Sequence, residues 1–331
     1  MRIILVMIVK NEQDVIRRCL ESCLPFIDGY MIHDTGSTDN TVQIACETLG
    51  DAVGGGISIV NWVNFAHNRN KAMGDAVTLF GRDAYFLAMD ADDVLVSNGF
   101  DAERDLGGAE VYSIGRGNGD MLNWTELLAM GGTGYWEGMI HEHFVYTSQP
   151  KKLKTLWIKE GRDGARAKNP NKFKDDAYTI QEAAKKATGL ERKILMFQYA
   201  QAYEGIPDYE TALILYHDFL REYPNTLSEL EWNALLRVGC LQELTSKHRG
   251  EVISSYHKCI QDRPNRVEPY VMLSTYFLHI GMAQAALEVA EIAAKITKPP
   301  EKDTLCIMES FYTTQNKECL AKAKAALEVK G

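Results

Sequence analysis

No two of the seven cysteines stand in a CxxC pair, and Cys19 and Cys23 fall about one turn apart in a stretch that reads as helix. That pattern excludes a zinc ribbon and a disulfide framework, and predicts reduced core thiols in a cytosolic protein. Basic charge is also short: 36 Lys and Arg face 45 Asp and Glu, for a formal net charge of −9. A nucleic-acid surface carries a basic footprint, so that partner class is excluded. Phosphorylated small molecules stay open, because a local site or a cation supplies the charge they need. No apolar run reaches the roughly 20 residues of a membrane span. The opening MRIILVMIV is short, lacks a small-residue cleavage site and runs into KNE, so it reads as a first strand and not a signal segment. A Gly-rich, Lys-containing loop for a nucleoside triphosphate is missing too, which argues against nucleotidyl transfer.

What is there fits two domains, with 331 residues and an ordinary apolar fraction of 46%. The first third alternates short apolar runs with amphipathic segments. Strands are expected at Ile3–Ile8, Tyr30–His33, Ile57–Val60 and Tyr85–Met89. Helices are expected at Asp14–Cys23, Thr38–Leu49 (with Ser37 or Thr38 as N-cap) and Ala66–Leu79. This alternation implies an α/β fold with an open, mostly parallel, Rossmann-like sheet, whose ligands gather beyond the carboxyl ends of the strands. Three polar clusters fall at those ends: KNE (10–12), DTGSTDN (34–40) and DADD (90–93). Residues 107–160 complete the domain with Gly-rich turns, strand-like runs and tryptophans. The GGG at 54–56 and the GRGNGD containing Gly115, Gly117 and Gly119 read as turns, and KKLK (151–154) as a solvated strand face.

From residue 176 the character is helical and an internal repeat emerges. Ala212, Tyr216, Phe219 and Pro224 recur 40 residues on as Val252, Tyr256, Cys259 and Pro264, and Ala286 and Ala290 follow 34 later. Small and aromatic residues at this spacing, closed by Pro, indicate tetratricopeptide-type helical hairpins that stack into a curved surface. The expected divisions are a catalytic domain at 1–160, a polar, basic connection or lid at 161–175 and the helical domain at 176–331.

YFLAMDADDVL (85–95) sets Asp90, Asp92 and Asp93 directly after an apolar strand. Hard cations such as Mg²⁺ and Mn²⁺ take oxygen ligands and leave positions open for phosphate oxygens. The plainer reading is that an Asp caps the following turn, but a cap needs one carboxylate and not three. A phosphatase-like DxD, with one Asp as nucleophile, would follow the first strand of its fold and not the fourth.

MIVKNEQDVIRRCLESCLPFIDGYMIHDTGSTDNTVQIA, WVNFAHNRNKAM and YFLAMDADDVL together resemble a family 2 glycosyltransferase with a GT-A fold. WVNFAHNRNKAM, YWEGMIHEHF and the helical array resemble the subgroup with C-terminal tetratricopeptide-like helices, some members of which glycosylate peptide or protein side chains. The resemblance implies a hexosyltransferase that inverts the sugar carbon of a nucleotide sugar, UDP-linked by expectation, with Mn²⁺ or Mg²⁺. It places Asn11 and Glu12 at the nucleotide, although Asn11 also serves as a helix cap. Asp34, an acceptor-only carboxylate, takes the N3–H of uracil. Arg69 grips the diphosphate, with a surface role as the alternative. Asp90 serves nucleotide and metal, Asp92 the metal, and Asp93 caps the turn. Trp136 corresponds to an acceptor-side tryptophan, and His141 and Glu142 to an HE pair. Direct displacement needs a base for the acceptor proton. Glu142 is the candidate and Glu137 the reserve, with His141 completing the metal shell or holding Glu142. The acceptor is a peptide, protein or glycan, and the array either binds it or joins two copies of the chain. The competing expectation is an interaction scaffold whose sheet domain is a degenerate nucleotide binder. The donor sugar is not legible in the sequence.

Overall fold

The protein is described by a computed structural model covering residues 1–331 except 51, 119–120, 140–141, 225–228, 299–309 and 329–331, and except the side chains of 121–123 and 126. The chain divides into two units, Met1–Lys172 and Phe173–Gly331.

The first unit contains, in order, β1 (Ile3–Val9), α1 (Ile16–Cys23), β2 (Gly29–Asp34), α2 (Thr41–Leu49), β3 (Gly54–Ile59), α3 (Phe65–Phe80), β4 (Tyr85–Ala88) and β5 (Val94–Ser97). There follow α4 (Ala102–Asp105), β6 (Val111–Asn118), β7 (Met121–Met130), β8 (Gly134–Glu137), β9 (His143–Tyr146), β10 (Lys151–Lys159) and α5 (Ala165–Lys168). One sheet runs β3-β2-β1-β4-β7-β6-β10-β5, and β8 and β9 form a separate hairpin. The left half is parallel, while β7 runs antiparallel to both β4 and β6, so the sheet is mixed.

β1 shows why IILVMIV is uninterrupted. Ile3, Leu5, Met7 and Val9 pack with α1 and α2 residues such as Cys19, Leu20 and Leu49. Ile4 and Val6 point the other way, toward Ala72 and Ala76 of α3. A strand buried on both faces has no polar alternation to show. In register, Val9 pairs with Asp34 and Val6 with Ala88, which aligns the ends of β1, β2 and β4 on one edge.

Several local expectations differ. Gly54–Gly56 belongs to β3, where Gly55 is required because a Cβ would meet the Tyr30 carbonyl oxygen at 2.3 Å. Gly115-Arg116-Gly117 continues β6 in ladder with β7 and β10, so it is strand and not turn. Neither Ser37 nor Thr38 caps α2, which starts at Thr41 with Asp39 accepting the Thr41 N–H. Asn11 caps no helix either. It adopts φ 57°, a region Asn tolerates better than most residues, and its Oδ1 accepts the Thr38 N–H at 2.7 Å.

The second unit comprises α6 (Lys172–Ala184), α7 (Gly189–Gly205), α8 (Tyr209–Glu222), α9 (Glu229–Leu244), α10 (Arg249–Asp262), α11 (Glu268–His279), α12 (Ala283–Ala293) and α13 (Asn316–Glu328). From α7 onward each helix packs on the next, and α7, α9, α11 and α13 also touch in sequence, the pattern of stacked helical hairpins. All the repeat positions other than the prolines, Ala212, Tyr216, Phe219, Val252, Tyr256, Cys259, Ala286 and Ala290, are buried. No helix among the described residues is long and apolar enough to cross a membrane.

Candidate functional site

The three loops at the carboxyl edge interlock. The Asn11 N–H donates to Ser37 Oγ, the Glu12 N–H to Thr41 Oγ1 and the Gln13 N–H to Asp39 Oδ2, at 2.8, 2.7 and 3.2 Å. Asp34, 2% exposed, accepts from the Gly36 and Ser37 N–H groups and so organises the turn it opens. Gly36 there has φ 105°, which explains the glycine.

At the centre stands Arg69, from α3. Its Nη2 donates to Asp90 Oδ1 at 2.6 Å and its Nε to Glu142 Oε1 at 2.7 Å. Its guanidinium lies 5.1 Å from the centre of the Trp136 ring. Trp136 is 8% exposed and meets Phe144 edge-on, so its indole is a buried support for Arg69 and not an open sugar platform. Asn70 fixes β8 against α3, donating to the Trp136 carbonyl and accepting its N–H, both at 2.7 Å. The other candidate base, Glu137, is 61% exposed and 3.9 Å from His143. His141 lies outside the described residues.

Arg116, from β6, completes the cluster. Its Nη2 is 2.6 Å from Asp90 Oδ2 and 3.1 Å from Asp93 Oδ2. Asp93 is buried and does more than cap a turn, also accepting the Gly161 N–H at 3.0 Å. Burial pushes Asp90 toward its neutral form, but Arg69 and Arg116 outweigh it and hold the carboxyl below its usual range. For Asp93, burial and the Asp90 charge win over Arg116 and raise it. Arg69 is driven up by Asp90 and Glu142 in spite of burial.

The segment expected as a connection or lid is tied down over this edge. The Gly164 N–H donates to Asp92 Oδ2 at 3.2 Å and the Ala165 N–H to Glu12 Oε2 at 3.0 Å. Arg18 grips Asp163 at 2.8 Å, and Lys168 pairs with Asp14 at 2.8 Å. Replacing Ala165 by Pro deletes one tether at little cost to the fold, since Pro suits the first helical position and Gly164 (φ −67°, ψ 168°) has the backbone that precedes Pro. Faster amide exchange across 161–168 with an unchanged melting temperature is expected. An unchanged exchange rate would mean that the other tethers suffice.

Burial is the main reason Glu12 is pushed up to about 7, with Asp92 adding to it and the Ala165 N–H opposing it. A carboxyl whose pKa rises on folding destabilises the native state progressively between its unfolded value, about 4.5, and 7. Glu12→Gln should therefore raise the melting temperature above pH 7 and give no gain below pH 4.5. A gain independent of pH would contradict this account.

Among the described residues no three His, Cys, Asp or Glu side chains converge as a metal cage. Both Asp90 oxygens are engaged by guanidinium groups, whereas among the described residues the Asp92 carboxylate meets only a backbone N–H. Such a donor set fits a hard cation that arrives with phosphate oxygens and needs one or two protein carboxylates.

Fold and edge together define an open-sheet α/β domain with a cluster of charged side chains at the carboxyl edge of its strands. Residues 4–98, which run from β1 through β5, match the family model described as glycosyl transferase family 2. A search of curated proteins gives no match. The helical region is similar to solved helical-repeat structures. One is MamA, at 14% identity and TM-score 0.34 over 50% of this chain and 96% of that one. Another is the Sgt2 TPR domain from Aspergillus fumigatus, at 13% and 0.34 over 42% and 83%. PcrH from Pseudomonas aeruginosa follows, at 10% and 0.32 over 43% and 94%. Likeness at this level carries no function across.

Sequence reasoning alone misses Arg116, Asn70 and the 161–168 tethers. Arg116 does carry one signal, an isolated cation between glycines, but the glycines make the segment read as a turn and nothing local points it toward Asp90.

Proposed function

We propose that the first unit transfers a sugar from a nucleotide diphosphate donor, UDP-linked by expectation, to an acceptor by direct displacement with inversion. The observation that carries this reading is the Arg69 bridge, which joins Asp90, inside the stretch that matches the family 2 model, to Glu142 beyond it. The loops carrying Asn11, Glu12 and Asp34 flank the nucleoside, with Asp90 on the same side. Arg69 lies where an incoming diphosphate gains a fixed, desolvated cation. Asp92 would hold Mn²⁺ or Mg²⁺, which when bound supplies charge for the departing diphosphate. Glu142 takes the acceptor proton through Oε2, which has no hydrogen bond among the described residues. The acceptor heteroatom then bonds to the sugar carbon as the bond to the phosphate oxygen breaks. Glu142 is preferred over Glu137 because it faces Arg69, while Glu137 stands exposed on the hairpin.

Incubation with a panel of UDP-sugars and Mn²⁺ tests the reading. Slow release of UDP without acceptor is expected from one or more of them. If no nucleotide sugar binds, with or without metal, the reading falls.

A further inference from the structure

Three aspartates within four residues repel one another, and the fold has to neutralise them unequally if one is to receive a cation. We propose that Arg116 is the positioning residue that does this, fixing Asp90 for the nucleotide and cancelling Asp93 so that Asp92 is left to the cation. The inference rests on the reading of this site as a nucleotide diphosphate site.

Geometry separates the three carboxylates. Asp90 is gripped from two elements, by Arg69 of α3 on Oδ1 and by Arg116 of β6 on Oδ2, each at 2.6 Å. A planar carboxylate held at both oxygens has its plane set, and each oxygen keeps a lone pair for a ribose hydroxyl. Asp93, with 1% of its side chain exposed, has Arg116 as its cation among the described residues and the Gly161 N–H as its other donor. A buried carboxylate stripped of its cation is strongly destabilising. Asp92 differs. Arg18 reaches its backbone carbonyl at 2.8 Å and not its carboxylate, which among the described residues accepts only from the Gly164 N–H.

Arg116 is itself set by the sheet. It pairs in register with Asn123 of β7 and Ile158 of β10, so its origin is rigid and not a loop. Its Nε is buried without a partner among the described residues, and its hydrogen bonds to both aspartates are made through Nη2. Losing such a supporting residue typically lowers affinity or activity about 10–100-fold.

The test is calorimetric binding of UDP with Mn²⁺ to the full chain and its variants, beside melting temperatures. R116Q should weaken binding by about 10–100-fold, and R116K should recover part of the loss by restoring charge without the planar fork. D93N/R116Q should bind more tightly than R116Q alone, because a neutral amide in place of the Asp93 carboxylate needs no cation. That non-additivity is the signature of action through the aspartates. If the R116Q and D93N losses multiply, Arg116 contacts the nucleotide directly and the proposal fails. It fails equally if R116Q lowers the melting temperature but binds as wild type does, since the role is then only structural. Should R116Q not fold, R116K and the double variant give the same comparison. A wild-type chain that binds no nucleotide overturns the site reading, and this inference with it, whereas wild-type binding with unaltered R116Q binding overturns this inference alone.

Discussion

Glu142→Gln is expected to bind UDP as the wild type does and to lose transfer, with turnover falling by about 10²–10⁴-fold, the range associated with a general base. Gln keeps an oxygen for the Arg69 Nε, and Asp90 still neutralises the guanidinium, so the local structure should survive. The loss then belongs to the proton-accepting step. Glu137→Gln supplies the contrast. Its carboxylate is exposed and only loosely paired with His143, so near-normal turnover is expected. Rapid-quench measurement of a single turnover separates the two cases from effects on product release. Normal turnover by Glu142→Gln, with loss in Glu137→Gln, would reverse the assignment.

Asp92→Ala is expected to abolish Mn²⁺-dependent strengthening of UDP binding and to cut turnover by about 10²–10³-fold, as removal of one preorganised charge-stabilising element does. Asp92 is half-buried and pairs with no cation among the described residues, so its removal leaves no unpaired partner charge and the melting temperature should hold. In Asp93→Ala the same change strips Arg116 of a buried partner, and a clear loss of stability is expected instead. Titrating UDP into each variant, with and without Mn²⁺, reads both effects. Full metal dependence in Asp92→Ala would move the cation to other ligands.

How far these groups are legible in the sequence depends on whether their role is local. β1 and β4 are readable because strands buried on both faces print continuous apolar runs, and the polar residues after them mark the edge. The buried helical positions are readable because Ala212, Tyr216 and Phe219 recur at fixed spacing. Gly54–Gly56 and Gly115–Gly117 mislead because glycine signals turns by default. At Gly55 its lack of a side chain instead serves a close strand approach, a fact of the neighbouring chain and not of the segment. Asn11 has the chemistry of a helix cap, yet its hydrogen bonds go to Ser37 and Thr38 across 26 and 27 residues. Trp136 suits a sugar platform by residue type, and only the tertiary fold puts Arg69 on its face and Phe144 at its edge. Arg116 is the extreme case, since its meeting with Asp90 depends on how β4, β7 and β6 lie in the sheet, an order that no local pattern encodes.

The central claim is that the clustered carboxylates and arginines serve a nucleotide sugar. It is tested most directly by calorimetry of the intact chain with UDP and a UDP-sugar panel, with Mn²⁺ present and absent, followed by assay of UDP release. Saturable binding strengthened by Mn²⁺, with slow UDP release from one or more sugars, is the predicted result. Absence of binding under every condition, in a protein whose helical region still captures a partner, would contradict the claim and leave the scaffold reading in its place.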